Sequence, residues 1–306
     1  MTYVYALLAL LIFPGVLYAL PMGWLMLGVE RKARARLQGR IGPPLTQPFY
    51  DLVKLLAKSP VARARSDTLL LTGLPLLAVG SMFGVLALLP VLGRDQGFAG
   101  DLILVIGLLE LPPLCLILGG YASRSIYGEV GATREGILMI ASNVPFLAAI
   151  VAMAAAADSF RLGTLAATTP WMVRVPALLT ILLCLPVKLR MNPFSLANAE
   201  QELLAGPLTE FDGPRLGLWE LAHALEWVAL TGFVAILAWP ATLHSPAVNA
   251  VAFVTISLAL VLVITAIASA TARIKIMQAT RLLWTWATAL AVIALAAGFL
   301  IRKGGF

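Results

Sequence analysis

Eight stretches of this chain are apolar over the length of a bilayer crossing, near residues 4–29, 68–92, 98–121, 136–157, 171–191, 217–239, 247–270 and 281–301. A run of about 20 apolar residues crosses lipid as a helix, because each backbone N–H and C=O must be satisfied within its own segment. The sequence therefore predicts an all-α, polytopic membrane protein of about eight transmembrane helices. Prolines inside the runs, Pro112 and Pro113 among them, are tolerated where neighbouring helices or water meet the freed carbonyls. With 60% hydrophobic and 12% charged residues in 306, one integral membrane domain over 1–306 leaves no room for a second, soluble one. The first run is too long for a signal-peptide core and lacks a basic leader, so it is read as a retained span.

Charge sets the orientation. Of 22 Lys and Arg residues, seventeen fall in or beside the loops after the first, third, fifth and seventh runs, and five on the opposite side. The positive-inside rule then makes the odd loops cytoplasmic, at about 30–67, 122–135, 192–216 and 271–280, with both termini outside. The net charge of +7 is explained by this topology, and nucleic acid is not expected as a partner. In the first of these loops Phe49, Leu52, Val53 and Leu56 recur at helical spacing opposite Asp51, Lys54 and Lys58, which predicts a short amphipathic helix along the membrane surface.

Cys115 and Cys184 stand alone in apolar runs, and the two histidines, His223 and His244, share no metal-ligand spacing, so no metal or other cofactor is expected on this chain. Neither a nucleophile–base constellation nor a phosphate loop is evident, and redox or hydrolytic chemistry by this chain alone is not expected. Its ionisable groups within or beside the spans are Glu110, Lys188, Arg190, Glu220, His223 and Glu226, with Glu200, Glu202, Glu210 and Asp212 in the loop from 192 to 215. Intramembrane charge of this kind belongs to ion handling, to paired structural sites or to a partner interface. Glu220, His223 and Glu226 step by three along the sixth run and share one broad face. Lys188 and Arg190 end the fifth run at the same level, which predicts an ion pair from one of them to Glu220. Glu110, just before Leu-Pro-Pro, is expected at a break that admits water.

Three segments resemble one family, the membrane subunit that complex I shares with energy-converting group 4 nickel–iron hydrogenases and formate hydrogenlyase. Arg36–Pro43 reads Arg-Leu-Gln-Gly-Arg-Ile-Gly-Pro and is followed by Asp-Leu-Val-Lys-Leu-Leu at 51–56, similar to the family's first cytoplasmic loop. Gly-Ala-Thr-Arg-Glu at 131–135 looks like the opening of its fourth span. Pro193-Phe194, Ala-Glu-Gln-Glu-Leu at 199–203, Gly206-Pro207 and Glu210-Phe211 resemble its signature loop, in a variant similar to the formate hydrogenlyase branch.

The resemblance implies a subunit of a multisubunit complex in a prokaryotic cytoplasmic membrane, which anchors the peripheral subunits and couples redox energy to proton or ion movement. Its cytoplasmic loops, with Arg36, Arg40, Gly42 and Pro43 as a docking loop, would clasp a proximal-cluster small subunit and a hydrogenase large subunit. Those partners would carry the iron–sulfur clusters and the nickel–iron centre, beside antiporter-like membrane subunits. Arg134 and Glu135 join the ion-coupling or interface candidates through the second motif. The chain departs from the family at Ser195 and Asn198, which stand where the signature has acids, and at Asn143, where a membrane Glu is expected. Glu220 and Glu226 fall where formate hydrogenlyase relatives tend to have lysine, and Lys188 near a usual Glu, which looks like a reversed ion pair. A purely structural anchor with a decayed ion path is the alternative, and an independent transporter a more distant one.

Overall fold

The computed structural model describes residues 11–59, 68–92, 97–197, 206–239 and 245–304. Its helices are α1 (Val16–Leu37), α2 (Gln47–Leu56), α3 (Thr68–Leu88), α4 (Asp101–Ala122), α5 (Ile126–Ala157), α6 (Leu162–Thr168), α7 (Trp171–Lys188), α8 (Gly213–Ala238), α9 (Pro246–Ala270), α10 (Ile276–Leu282) and α11 (Thr288–Gly304). A π-helical turn, Leu283–Ala287, joins the last two, and a 3₁₀ turn, Gly206–Leu208, precedes α8. Among the described residues seven helices are long and apolar enough to cross a membrane. They are α3, α4, α5, α7, α8, α9 and the continuous segment Ile276–Arg302. The eighth expected span falls on α1 together with residues outside the described ones.

Helix α8 is the hub, packed against α1, α2, α3, α7 and α9. Its span is 83% buried, whereas α9 and the final segment are only 28% and 22% buried, so their outer faces suit lipid or a neighbouring chain. Close approach to α8 depends on small residues. A Cβ added at Gly23 of α1 would lie 2.9 Å from the Ala224 carbonyl oxygen, which fixes how tightly the two helices cross. Around α8 the second layer is α3 against α4, α4 against α5, and α5 against α7 and α11.

Several predicted loops are partly helical. The Gly-Ala-Thr-Arg-Glu motif, expected in a loop at 122–135, belongs to α5, which begins at Ile126 and runs 32 residues. The cause is a glycine contact with the signature loop. A Cβ at Gly131 would lie 2.8 Å from the Pro207 nitrogen, and one at Gly120 2.7 Å from the Gly128 carbonyl oxygen. The 3₁₀ turn thus seats directly on α5, and the added helical turns bury one face, Gly128, Gly131 and Ala132, while Ile126, Tyr127 and Val130 stay exposed. Helix α1 likewise extends beyond residue 29 to Leu37, because Glu30 pairs with Arg34 one turn on and is itself buried.

The motif at Arg36–Pro43 forms the C-cap of α1. Gly39 is left-handed with φ 74°, and the Arg40 amide donates back to the Ala35 carbonyl at 2.8 Å. Gly42, also left-handed, turns the chain back toward Ala35 while Arg36 and Arg40 remain exposed. The amphipathic helix forms as α2. Pro48 and Leu52 are buried, whereas Phe49, Val53 and Leu56 are each more than 40% exposed. The helix leans on α8 through Leu55 and Leu56 beside Gly217, and on α1 through an edge-to-face contact of Phe49 with Trp24, centroids 5.0 Å apart. Docking on protein, not lipid alone, sets its rotation.

Candidate functional site

The site is built by the end of α7. That helix closes on a left-handed residue, Arg190 at φ 54°, with the Met191 amide donating to the Pro186 carbonyl at 2.8 Å. Lys188 is in the last turn and Arg190 is beyond it, so two cations only two residues apart leave the backbone in different directions. Each meets its own carboxylates.

Lys188 turns toward α4 and α5. Its ammonium pairs with Glu110, donates to Asn143 Oδ1 at 2.8 Å and sits 4.3 Å from the centroid of the Phe146 ring. The Asn143 amide nitrogen donates to the other oxygen of Glu110 at 2.9 Å, so the asparagine serves both partners at once. Lys188 is 9% exposed and the Glu110 side chain 17%. Helix α4 continues through Pro112 and Pro113, so the expected break and water-fed carboxylate are corrected to a paired one on an unbroken helix.

Arg190 turns toward α8 and the start of α5. It pairs with Glu226, lies 3.9 Å from Glu135 and is 2.9 Å from Nδ1 of His223. His223 Nδ1 is also 3.2 Å from the same Glu226 oxygen, and the Trp227 indole nitrogen donates to His223 Nε2 at 3.3 Å. Glu135 and Glu226 are both buried. The two clusters together hold two permanent cations against three carboxylates, so one negative charge is left for a proton, a protonated imidazole or a further cation to balance.

The expected pairing of Lys188 or Arg190 with Glu220 is not formed. Each three-residue step turns by about 60° around a helix, and the two steps from Glu220 to Glu226 are enough to part them. Glu220 instead lines a cavity of about 120 Å³ with Trp24, Leu27, Arg31, Pro48, Asp51, Leu52 and Leu55, between α1, α2 and α8. There Arg31 donates to Asp51 at 2.7 Å and Gln47 to the same carboxylate at 2.9 Å. Burial pushes the Asp51 carboxyl up, but those hydrogen bonds and the charge of Arg31 outweigh it and hold its pKa below the usual carboxylate value.

Glu210 lies in the turn after the 3₁₀ element and Arg134 is half-buried on α5. Glu200 and Glu202 lie outside the described residues. Cys115 and Cys184 are free and buried, and among the described residues no group of three or more His, Cys, Asp and Glu side chains could hold a metal ion. Sequence reasoning missed Asn143 as a bridge, Glu135 as a partner of Arg190, and the Arg31–Asp51 pair. Glu135 was expected at the end of a loop, where a carboxylate needs no buried partner, so its pairing with Arg190 follows only from the longer α5. The bridging role of an amide has no sequence signature.

Residues 8–298 match the model of the family described as NADH dehydrogenase. The chain is 32% identical over 220 residues to hydrogenase-4 component C of Escherichia coli K12, covering 69% of this chain and 70% of that protein. The chain belongs to this family. It is also 31% identical over 222 residues to formate hydrogenlyase subunit 4 of the same strain, covering 69% of this chain and 72% of that one. A solved structure of the membrane-bound sulfane sulfur reductase, an archaeal respiratory membrane complex, superposes with a TM-score of 0.84 at 27% identity, over 97% of this chain and 99% of that one. The family of respiratory membrane subunits expected from the three motifs is thus the one found.

Proposed function

We propose that this chain is the membrane-anchoring subunit of a respiratory-type oxidoreductase complex, of the hydrogenase or formate hydrogenlyase kind, and that its buried charge clusters couple redox turnover to proton or ion movement. The observation that carries the coupling reading is the Arg190–Glu226–Glu135–His223 cluster, where a buried acid is left without a cation of its own. Such an acid can exchange a proton while the rest of the cluster stays paired. The relatives' names support membership in a complex. The exposed Arg36 and Arg40 on the α1 cap, with Glu210, are the surfaces we assign to the peripheral small and large subunits, and antiporter-like subunits would flank the span layer.

The test compares assembled complexes carrying Glu135→Gln or Glu226→Gln, and Gln at Glu200, Glu202 and Glu210, for redox turnover and for ion movement in sealed vesicles. Lost ion movement with assembly and turnover intact supports coupling. Lost assembly from the loop variants alone supports docking for those residues, and unchanged ion movement in every variant overturns the coupling reading. A purely structural anchor is the second reading, favoured by the Lys188–Glu110 pair, whose charges cancel locally. Orientation is checked by cysteine at Gly39 and Gly206, expected to label only with membrane-crossing reagent, and at Gly305, expected to label from outside.

A further inference from the structure

Trp227 is fully buried on α8, and its indole nitrogen can only donate a hydrogen bond. Side chains on a helix lean toward its N-terminus, so Trp227 reaches back over His223 one turn earlier. The rings meet edge to face with centroids 6.4 Å apart, and Nε1–H points at His223 Nε2 at 3.3 Å. Across the imidazole, Nδ1 faces a carboxylate oxygen of Glu226 at 3.2 Å and the Arg190 guanidinium at 2.9 Å. Two neighbours of this ring therefore only donate, and one only accepts.

A neutral imidazole offers one N–H and one lone pair. With the lone pair on Nε2, the buried indole is satisfied and the Nδ1 proton goes to Glu226. Arg190 then sets an N–H against the Nδ1 proton at 2.9 Å, a repulsion offset by its own pairs with the carboxylates of Glu226 and Glu135, whereas the indole has no second acceptor. With the opposite tautomer two N–H groups meet at Nε2, the indole is orphaned in an apolar setting, and Glu226 faces a bare lone pair. A second proton on the ring would set Nε2–H against Trp227 and orphan the indole in the same way.

We propose that Trp227 is a positioning residue that locks His223 as the neutral tautomer protonated on Nδ1, a fixed donor to Glu226 and a barrier to proton entry through Nε2. A relay through imidazole takes up a proton at one nitrogen and releases one from the other. With Nε2 closed by Trp227, no proton reaches Glu226 through this ring. Exchange at the buried cluster must use another group, or wait until the indole moves. The inference deepens the coupling reading above and rests on it for its functional consequence, whereas the tautomer rests on geometry alone.

Other charges around the ring stay constant when Trp227 is changed. They are Glu30 of α1, close enough to interact electrostatically and paired with Arg34; Arg190 after α7, with Glu135 of α5 behind it; and Glu220 and Glu226 on α8 itself. Arg31 and Asp51 pair with each other across the cavity that Glu220 lines, while α3 and α9 hold no charged residue.

The experiment uses the whole complex labelled with ¹⁵N,¹³C-histidine and takes the solid-state NMR difference between native His223 and His223→Gln. The expected signal is a neutral ring protonated on Nδ1. In Trp227→Phe, which keeps an aromatic ring but removes the donor, the signal should move to the other tautomer or to the protonated ring. Ion movement in vesicles, measured from about pH 5 to 8, should gain a severalfold pH dependence in Trp227→Phe that vanishes in Trp227→Phe/His223→Gln. An Nε2-protonated ring in the native complex overturns the proposal, as does a tautomer unchanged by Trp227→Phe. The native spectrum decides the tautomer even if the variant fails to assemble. A native complex that moves no ions would sink the coupling reading and leave the spectrum to judge the lock.

Discussion

Cutting one partner out of the Lys188–Glu110–Asn143 knot should cost far more than cutting two. Lys188→Met leaves the Glu110 carboxylate with only the Asn143 amide, and Glu110→Gln leaves a buried ammonium with the Asn143 carbonyl and the Phe146 face. Breaking a fully buried pair costs about 3 to 5 kcal/mol, and the surviving asparagine contacts and the partial exposure of Glu110 argue for the lower end, about 3 kcal/mol. That is roughly a hundredfold in the ratio of intact to disrupted subunit. Replacing both partners, as Lys188→Met with Glu110→Leu, removes two charges that had to be desolvated, and the double variant should lose less than either single one. The assay is a double-mutant cycle on recovery and thermal retention of the assembled complex in one detergent. The reasoning fails if the double variant loses the sum of the single losses, because the groups would then not be interacting.

Glu220→Gln should alter assembly by less than about 1 kcal/mol, because the neighbouring Arg31 is already paired with Asp51 and a partly exposed charge contributes little; a loss as large as that of Glu110→Gln would revive the Glu220 pair. Gly131→Ala should destabilise the complex by about 1 to 3 kcal/mol, since its methyl would lie 2.8 Å from the Pro207 nitrogen, and limited proteolysis near the 3₁₀ turn would register it. Asp51 has a depressed pKa, so the contribution of the Arg31–Asp51 pair to the hold of α2 on α1 is complete above the ordinary carboxylate value and is lost as pH falls through the folded one. The side chains of Arg31 and Asp51 are 35% and 41% exposed, so the screened effect is small and local; the protection of residues 47–56 from hydrogen exchange, relative to the intrinsic rate at each pH, should fall at acidic pH in the native chain, and at neutral pH in Asp51→Asn.

Span positions were legible because hydrocarbon imposes one rule on every residue of a run, and the helices fall close to the apolar segments. What the runs do not encode is where a helix continues past the lipid. Helix α5 gains ten residues before its predicted start because Gly120, Gly128 and Gly131 let α4, α5 and the turn at Pro207 touch, a tertiary contact between distant segments. Periodicity likewise finds the apolar row of α2 but not which of its members meets protein: Leu52 docks, while Phe49, Val53 and Leu56 look outward. At the site, Glu110, Lys188, Arg190, His223 and Glu226 were visible in the sequence as costly intramembrane charge, whereas Glu135 entered only through the motif at 131–135. Their partners were not, since helix crossing and the left-handed turn at Arg190 decide which side chains meet.

That turn also accounts for how one short segment serves two neighbourhoods. Had α7 continued as a regular helix, Lys188 and Arg190 would project about 200° apart along one axis. The left-handed residue ends the helix and sends the chain into Pro193-Phe194, both buried. The signature loop and the buried cations are therefore mechanically continuous. Residues 192–197 follow directly on Arg190, which holds Glu226 and lies beside Glu135, while Lys188 is held in the helix by Glu110 and Asn143. Under the proposed coupling, a displacement at the proposed partner face would change the balance of the Arg190 cluster before it reached the Lys188 knot, leaving a movable half and a fixed half within three residues.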